Sequence, residues 1–273
     1  MSLGVYIQVP FCQTKCTYCN FHTGVVSPKV FEPYVAAVCR EIQEVKRFGS
    51  KEVGTNGLPE MPVGPVDTVY VGGGTPSLLE PRGLQRMLDA VRASWECALE
   101  EVTLEADPET ITPEKAGAWL EGGFNRISLG AQSFNDVELR AAGRMHRRED
   151  IYRANRVLRE AGFANVSFDL ICGLPHQAAA GWARSVDELL ALRPEHVSIY
   201  LLEVDEGSRL GREVITLGTR YSAPAVPSDE DMAAFYEQAC ERLGAAGYEH
   251  YEISNWALRG RRSRPNLKYW QRA

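Results

Sequence analysis

The sequence of 273 residues lacks several features that would assign it to a particular class of protein. It has no run of about 18 apolar residues, so it predicts no transmembrane span. It has no excess of positive charge, because its formal net charge is −6, and non-specific binding to nucleic acid is therefore not favoured. Its N-terminus, M-S-L-G, lacks the basic and apolar segments of a secretory signal peptide. We also see no tandem repeat.

The cysteines lack a regular pairing pattern, although the chain contains seven of them. Without a secretory leader, this favours free thiols and a metal-binding loop in a reducing compartment over a disulfide scaffold. We therefore expect a cytoplasmic protein. Hydrophobic residues make up 44% of the chain, which is enough for a packed core and excludes a disordered class.

Strand-like runs rich in Val, Ile and Leu recur along the chain, with helical stretches between them. Their predicted bounds are Val5–Val9, Val66–Val71, Glu101–Glu105, Arg126–Leu129, Val166–Ile171 and Val197–Leu202. Most of them are interpreted as nearly continuous in apolar character, which is typical of a parallel sheet covered by helices. Alternating strands and helices imply right-handed βαβ units. The predicted fold is therefore α/β, a partial (β/α)6 TIM-like barrel.

Helices are predicted between these strands and after the last of them. Their bounds are Phe31–Phe48, Pro81–Ser94, a helix that begins at Pro113, Asp150–Ala161, Trp182–Leu192 and Asp229–Ala246. Thr112 is a candidate N-cap, and Gly162 is a candidate helix stop. Gly49–Pro65 predicts a surface insertion, and Leu217–Ser228 predicts a similar break. We place a boundary there, with a core at residues 1–216 and the beginning of a C-terminal α+β extension at 217–273.

One polar loop near the start, V-P-F-C-Q-T-K-C-T-Y-C-N-F-H-T, has a C-x3-C-x2-C spacing at Cys12, Cys16 and Cys19. Thiolates this close in sequence can hold one metal centre from a single side, and a cubane iron–sulfur cluster is normally held by cysteine thiolates. Three ligands would leave its fourth iron open. One alternative is a zinc site completed by His22, although structural zinc usually takes ligand pairs that are well separated in sequence. Three unrelated thiols are another.

Polar or glycine-rich residues lie at or near the predicted carboxyl end of every strand, where parallel α/β sheets and barrels carry their chemistry. In chain order these are the cysteine loop, Gly72-Gly73-Gly74-Thr75-Pro76, Glu105, Gln132, Asp169 and Glu203. Glycines let a backbone approach a ligand closely, but a tight strand-to-helix turn explains the glycine run equally well.

Three of these polar side chains, and one arginine, have specific candidate partners. Glu105 lies in apolar surroundings, which is costly for a carboxylate unless a cationic ligand or a protein cation pairs with it. Asp169 and Gln132 could hydrogen-bond a ribose diol. Arg144, in A-A-G-R-M-H, either pairs with a ligand carboxylate or is a solvated arginine at a helix end.

The cysteine loop, with Tyr18 before its last cysteine, resembles the signature of the radical S-adenosylmethionine (SAM) superfamily. Other segments look like those of the oxygen-independent coproporphyrinogen III oxidase and HemW group: V-Y-I-Q-V-P-F-C, Y-V-G-G-G-T-P-S, N-R-I-S-L-G-A-Q-S-F, D-L-I-C-G-L-P and Y-E-I-S-N-W-A. The resemblance covers essentially the whole chain. It implies that Cys12, Cys16 and Cys19 hold a [4Fe-4S] cluster whose fourth iron is chelated by SAM. The SAM-binding residues that it implies are Tyr6, Tyr18, Gly72, Gly73, Gly74, Thr75, Glu105, Gln132, Arg144 and Asp169.

Two details favour the HemW branch. The oxidase branch has a fourth cysteine two residues after the third, and this chain has Phe21 there. Gly143-Arg144-Met145-His146 also looks like the G-R-x-H of the HemW branch. The resemblance therefore implies a heme chaperone, with heme as bound cargo, heme-acceptor proteins as partners and an electron donor for the cluster. The alternative is a radical SAM enzyme of porphyrin biosynthesis that oxidatively decarboxylates porphyrinogen propionates.

One segment departs from the HemW pattern R-H-N-x-x-Y-W, because Pro265 stands where histidine is expected. His146 and His250 are other candidate ligands for a heme iron. Arg259, Arg261, Arg262 and Arg264 form a basic cluster, which is either a solvated loop or a contact for porphyrin propionates. Since family members continue beyond the final Q-R-A, we expect the chain to be a fragment.

Overall fold

The computed structural model describes residues 2–49, 64–216 and 226–271, so most of the predicted insertion and of the predicted break lies outside the described residues. The strands are β1 (Leu3–Val9), β2 (Phe11–Cys12), β3 (Gly24–Val25), β4 (Val66–Gly73), β5 (Cys97–Ala106), β6 (Arg126–Gln132), β7 (Val166–Cys172), β8 (His196–Leu201), β9 (Glu249–Glu252) and β10 (Asn255–Ala257). The helices are α1 (Phe31–Gly49), α2 (Pro81–Ser94), α3 (Pro113–Gly122), α4 (Asp136–Ala141), α5 (Arg148–Ala161), α6 (Ala179–Ala191), α7 (Arg209–Gly211), α8 (Asp229–Ala245) and α9 (Arg264–Gln271).

The main sheet is a curled half-barrel. Its parallel strands pair in the order β1-β4-β5-β6-β7-β8, with helices in the connections between them. This confirms the predicted α/β fold and all of the predicted strands. Strands β10 and β9 continue the same sheet in antiparallel pairing. The predicted extension therefore lengthens the sheet of the core, and the division at residue 217 stays a prediction.

The two faces of the sheet differ in chemistry. On β5, Val102 and Leu104 are buried in the apolar core shared with the helices, whereas Thr103 and Glu105 point to the other face. The same alternation continues along β6, β7 and β8, because successive residues of a strand point to opposite faces. The interpretation of these strands as nearly continuous in apolar character was therefore wrong. They have an apolar outer face and a polar inner face.

Local capping explains where several helices begin and end. Thr112 Oγ1 accepts a hydrogen bond from Lys115 N at 3.3 Å, and Gly162 ends α5 with a φ of +106°, which confirms both predicted signals. No helix among residues 2–49, 64–216 and 226–271 is long and apolar enough to cross a lipid bilayer.

Two helices begin earlier than predicted. Asp150 lies in the first turn of α5, where its carboxylate accepts a hydrogen bond from Arg147 N at 2.9 Å, so α5 begins at Arg148 and not at Asp150. Helix α6 begins at Ala179 and not at Trp182, after a residue that has no capping side chain.

The polar inner face is closed near the amino ends of the strands by the segment before α9. Glu101 lies 3.8 Å from the Arg126 guanidinium, and both side chains are almost fully buried. Glu101 also accepts hydrogen bonds from Ser263 Oγ at 3.4 Å and from Arg264 N at 3.2 Å. The C-terminal segment therefore supplies partners for a carboxylate that the sheet buries.

His196 extends this closed region. Its Nδ1 lies 2.8 Å from Ser167 Oγ, and its Nε2 lies 2.7 Å from the Tyr251 hydroxyl. Burial, together with the nearby Arg126 charge, holds the pKa of His196 well below its usual value. We call the five residues Glu101, Arg126, Ser167, His196 and Tyr251 the amino-end layer.

Candidate cluster and cofactor site

A cavity of about 740 Å³ lies at the carboxyl ends of the parallel strands. The predicted residues in its wall are Cys12, Cys16, Cys19, Tyr6, Tyr18, Gly73, Gly74, Thr75, Glu105, Gln132, Arg144, Asp169 and Glu203. Gly72 is not part of this wall but adjoins it, because an added Cβ would lie 2.8 Å from Glu105 Oε1. The fold thus brings residues from the ends of separate strands to one space.

The cysteine loop is held in place by backbone contacts with distant segments. Thr17 N donates to Ala142 O at 3.0 Å, Thr17 Oγ1 donates to Ala141 O at 3.0 Å, and Leu210 N donates to Thr17 O at 2.7 Å. The three cysteines are free thiols of intermediate burial. The loop therefore presents its thiols to the cavity on a fixed backbone.

The three loop thiols lie in the wall of one cavity, where each could bind a different iron atom of a cubane cluster. Among the described residues, no three His, Cys, Asp or Glu side chains converge to hold a single metal ion. A cubane does not need such convergence, because each thiolate binds a different iron atom. His22, the fourth ligand of the zinc alternative, is exposed and lies outside the cavity wall, whereas Phe21 and Thr23 belong to it.

The glycine run packs against the cysteine loop. Gly74 N donates to Val9 O at 2.7 Å, and Thr75 N donates to Phe11 O at 2.6 Å. A Cβ added to Gly74 would lie 2.5 Å from Phe11 O and 2.9 Å from Cys12 Sγ. Glycine is needed here because two protein segments approach each other closely, a reason that the sequence did not reveal.

Glu105 is a half-buried carboxylate whose hydrogen-bond donors in the described residues are neutral. The Tyr70 hydroxyl donates to Oε1 at 2.7 Å, and Gly73 N donates to Oε2 at 2.9 Å. Burial raises the pKa of Glu105 to about 7. The salt bridge to a protein cation that the sequence left open is not the arrangement found. Instead, the carboxylate faces the cavity.

Asp169 is a second half-buried carboxylate at the cavity. The Ser128 hydroxyl, on the neighbouring strand β6, lies 3.0 Å from Asp169 Oδ2 and 3.2 Å from Oδ1. Burial raises the pKa of Asp169 as well. Tyr6 lies across the cavity, where its ring stacks on Tyr70 at 5.7 Å. The hydrogen-bond donors to both carboxylates are neutral groups, although the charges of Arg126 and Arg144 partly offset the raised pKa of Asp169. Both half-buried carboxylates therefore favour a positively charged ligand.

Arg144 is buried beside the cysteine loop, so its interpretation as a solvated arginine was wrong. Its Nη2 donates to Asp107 Oδ1 and, at 3.1 Å, to Gly130 O. Its Nη1 donates to Cys16 Sγ at 3.4 Å. Asp107 also accepts a hydrogen bond from Thr75 Oγ1 at 3.0 Å. The terminal nitrogens of the guanidinium are therefore already bonded within the protein.

Gln132 ends β6 in a backbone conformation that is uncommon for residues other than glycine, with a φ of +65°. The turn after it is fixed by the buried carboxylate of Glu138, which accepts hydrogen bonds from Ser133 Oγ at 2.7 Å and from Gln177 Nε2 at 3.0 Å. Such strained positions cluster at functional sites, and here the strain directs the end of β6 toward the cavity.

The two candidate histidines lie outside the cavity wall. His146 is buried, with Nε2 3.0 Å from Ala131 O and Nδ1 3.4 Å from Glu109 Oε2, so protein groups face both ring nitrogens. His250 is exposed on β9, at the edge of the sheet opposite β1, and stacks on Trp256 at 4.3 Å. Its surroundings are those of a surface residue.

The basic cluster and Pro265 belong to the amino-end side of the sheet. Arg262 pairs with Glu249 at 3.0 Å, and Arg264 pairs with Glu100, in both cases at the surface. Pro265 lies in the first turn of α9, where a proline is well tolerated. The solvated interpretation of the arginines fits these contacts, and the departure from the HemW pattern does not touch the cavity.

Sequence reasoning missed several residues of the cavity wall. They are Tyr70, Asp107, Ser128 and Tyr200. The period-two alternation of strands β4, β6 and β8 would have pointed to Tyr70, Ser128 and Tyr200, since it places every second residue on the inner face. Asp107 follows β5 in L-E-A-D-P, and only its position after a strand could have indicated that it lines the cavity.

Comparison with known families assigns the chain to a superfamily. The family model described as Radical SAM superfamily matches residues 6–189. The chain belongs to the radical SAM superfamily, as the resemblance of the cysteine loop implied.

Several proteins of known name are similar to this chain over nearly its whole length. It is 37% identical over 278 residues to "Heme chaperone HemW" of Synechocystis sp., which covers 99% of this chain and 63% of that protein. It is 32% identical over 272 residues to "Heme chaperone HemW" of Escherichia coli, which covers 98% of this chain and 66% of that protein. The chain thus spans 63% and 66% of the length of these two relatives.

Among solved structures, the fold is similar to that of coproporphyrinogen III oxidase (HemN) from Escherichia coli, a radical SAM enzyme. The TM-score is 0.79 at 23% sequence identity, and the match covers 99% of this chain and 58% of that one. This likeness confirms the partial barrel.

Proposed function

We propose that this chain belongs to a heme chaperone of the HemW type, which binds a [4Fe-4S] cluster and SAM and passes heme to acceptor proteins. The observation that carries the proposal is the gathering of Cys12, Cys16 and Cys19 with two half-buried carboxylates around one cavity, in a chain similar to HemW proteins over nearly its full length. A cytoplasmic location and an electron donor for the cluster are part of the same proposal.

The residues of the cavity have distinct proposed roles. Cys12, Cys16 and Cys19 hold the cluster, which when bound supplies one-electron chemistry and an open iron for SAM. Glu105 and Asp169 attract the positive charge of SAM, because that charge gives each carboxylate a partner of opposite sign.

The mouth of the cavity has the character needed for a flat, apolar macrocycle. Five of its lining residues are at least 46% exposed although they are large and apolar: Tyr6, Phe21, Met145, Tyr200 and Leu201. An exposed apolar patch of this kind marks a binding surface. We call these five residues the rim. Phe21 stands where the oxidase branch has its fourth cysteine, so the rim is more apolar here than it would be with cysteine. We propose that heme lies against this rim.

An anaerobic hemin titration of the cluster-reconstituted, full-length protein tests the proposal. We expect a saturable, equimolar shift of the Soret band. Leu201→Asp, at the rim, should weaken hemin binding about tenfold or more, since it places a charge against an apolar ligand. Val137→Asp is the matched control, because Val137 is exposed to a similar extent but lies on α4 outside the cavity wall.

The alternative is a radical SAM enzyme that acts on a porphyrinogen, and the fold similarity to HemN favours it as the second candidate. If the full-length protein binds no hemin saturably but turns over coproporphyrinogen, the chaperone proposal is wrong. Equal hemin affinity in Leu201→Asp and in the unaltered protein would remove the rim from the proposal.

A further inference from the structure

A chain of hydrogen bonds runs from Thr75 to one of the three loop cysteines, Cys16. Thr75 Oγ1 donates to Asp107 Oδ2 at 3.0 Å, and Arg144 Nη2 donates to the other oxygen of the same carboxylate. Arg144 Nη1 donates to Cys16 Sγ at 3.4 Å. The Asp107–Arg144 ion pair is thus bonded directly to Cys16.

The arginine in this chain is fixed in position. Its side chain is only 9% exposed, and its Nη2 also donates to Gly130 O at 3.1 Å. Its backbone N donates to Leu139 O at 2.9 Å, and it follows Gly143, whose φ is +76°. A Cβ added to Gly143 would lie 3.2 Å from Thr17 N. The turn that carries Arg144 therefore packs directly on the cysteine loop.

We propose that the Asp107–Arg144 pair sets the reduction potential of the cluster by fixing how much positive charge reaches the Cys16 sulfur. This inference rests on the proposed function, because it assumes a cluster on the loop cysteines. Reduction adds negative charge to the cluster and its thiolates, and hydrogen bonds to the sulfurs tune the potential. The guanidinium stabilises the reduced form, and Asp107 offsets part of that effect.

The two members of the pair therefore act in opposite directions. Arg144→Gln removes the positive charge next to Cys16 and should make the potential more negative. Asp107→Asn leaves the guanidinium uncompensated and should make the potential more positive. We expect each change to alter the equilibrium constant for one-electron reduction about tenfold, which corresponds to about 59 mV.

The experiment is a redox titration of the reconstituted full-length protein without SAM or heme, followed by electron paramagnetic resonance of the reduced cluster. Arg148→Gln is the charge-matched control, because Arg148 pairs with Glu188 at the protein surface. Its potential should equal that of the unaltered protein. The double variant Arg144→Gln, Asp107→Asn should return toward the unaltered potential, since both charges are absent.

Iron and sulfide are measured before each titration, which separates the two proposals. An unaltered protein that assembles no cluster contradicts the proposed function. Clusters that assemble in both single variants but keep the unaltered potential, or shift in the same direction, overturn the inference about the pair. If Arg144→Gln does not fold, Asp107→Asn and the double variant still decide the question. A positive shift of the potential in Asp107→Asn that the double variant reverses supports the inference. If Asp107→Asn shows no such shift, the inference is overturned.

Discussion

The inner face of the half-barrel carries buried polar residues at both ends of its strands, but the two ends treat them differently. In the amino-end layer, Glu101 has the Arg126 guanidinium and the Ser263 hydroxyl as partners, and His196 lies between Ser167 and Tyr251. At the carboxyl ends, the partners of Glu105 and Asp169 are neutral hydroxyl and amide groups, and both carboxylates face a cavity.

This difference distinguishes a polar cluster that stabilises the fold from a ligand-binding site on the same face of the sheet. A buried charge is costly unless it is paired, so the protein either supplies the partner or leaves that role to a ligand. In the amino-end layer the protein supplies these partners from neighbouring strands and from the C-terminal segment, which links that segment to the stability of the fold. At the carboxyl ends the raised pKa values of Glu105 and Asp169 reflect a cost that a cationic ligand can remove. Substitutions should therefore affect binding at one end and folding at the other.

The largest expected effect is at the cysteine loop. Cys16→Ser should abolish the oxygen-sensitive brown chromophore of the reconstituted protein, because a cluster held by only three thiolates loses one of them. Iron and sulfide analysis measures the loss. Cys39→Ser is the control, since Cys39 is also a free thiol but lies on α1 outside the cavity wall. Unchanged iron and sulfide in the serine variants of all three loop cysteines would rule out the cluster.

The next effect concerns the stability of the amino-end layer. Glu101→Ala should lower the free energy of unfolding by about 3 to 5 kcal/mol, since it leaves the buried Arg126 charge without its partner. Chemical denaturation measures this change. Glu100→Ala is the matched control: Glu100 is adjacent in sequence and also pairs with an arginine, but its side chain is 52% exposed, so we expect a loss below about 1 kcal/mol. Similar losses in both variants would contradict the comparison.

Much of the fold and of the cavity could be predicted from the sequence, because the signals were local. The strands, the helix signals at Thr112 and Gly162, and the positions of the polar residues at the strand ends depend on neighbouring residues or on the general geometry of parallel sheets. These signals were sufficient to gather the cysteines, Glu105 and Asp169 in one cavity.

The pairing of the buried charges could not be predicted, because it depends on contacts between distant parts of the chain. Glu101 and Ser263 are separated by 162 positions, and Arg144 and Cys16 by 128. Nothing local to Glu101 or Glu105 distinguishes the paired carboxylate from the one that faces the cavity. The role of Arg144 was missed for the same reason.

A smaller effect is expected for the ligand affinity of the carboxyl-end carboxylates. Asp169→Ala should weaken SAM binding by about tenfold or more, the order expected for a lost hydrogen bond to a charged group, while the cluster is retained. The free energy of unfolding without SAM should not fall, because ionised Asp169 is disfavoured by its burial. Asp187→Ala, on the surface of α6, should leave SAM affinity unchanged. Normal SAM affinity in Asp169→Ala would remove that residue from the site.

The smallest expected effect is the pH dependence that Glu105 contributes. Burial raises its pKa from 4.5 to about 7, so between these values the folded protein binds more protons than the unfolded chain, and this group's contribution to stability falls as the pH rises. A cationic ligand prefers the ionised carboxylate. SAM affinity should therefore increase by up to about tenfold per pH unit as the pH rises toward 7, and level off above it.

Equilibrium dialysis with SAM at pH 6 and pH 8 measures this dependence, and Glu105→Gln is the decisive variant because it keeps the shape of the side chain without its titration. The ionisation of SAM itself contributes equally in both proteins, so the difference between their pH profiles belongs to Glu105. If the two profiles coincide, Glu105 does not provide the negative charge for the ligand, and its raised pKa reflects only its burial beside Tyr70 and Gly73. The polar residues at the carboxyl ends would then resemble the amino-end layer, in which polar groups have partners within the protein, more than the open cavity indicates.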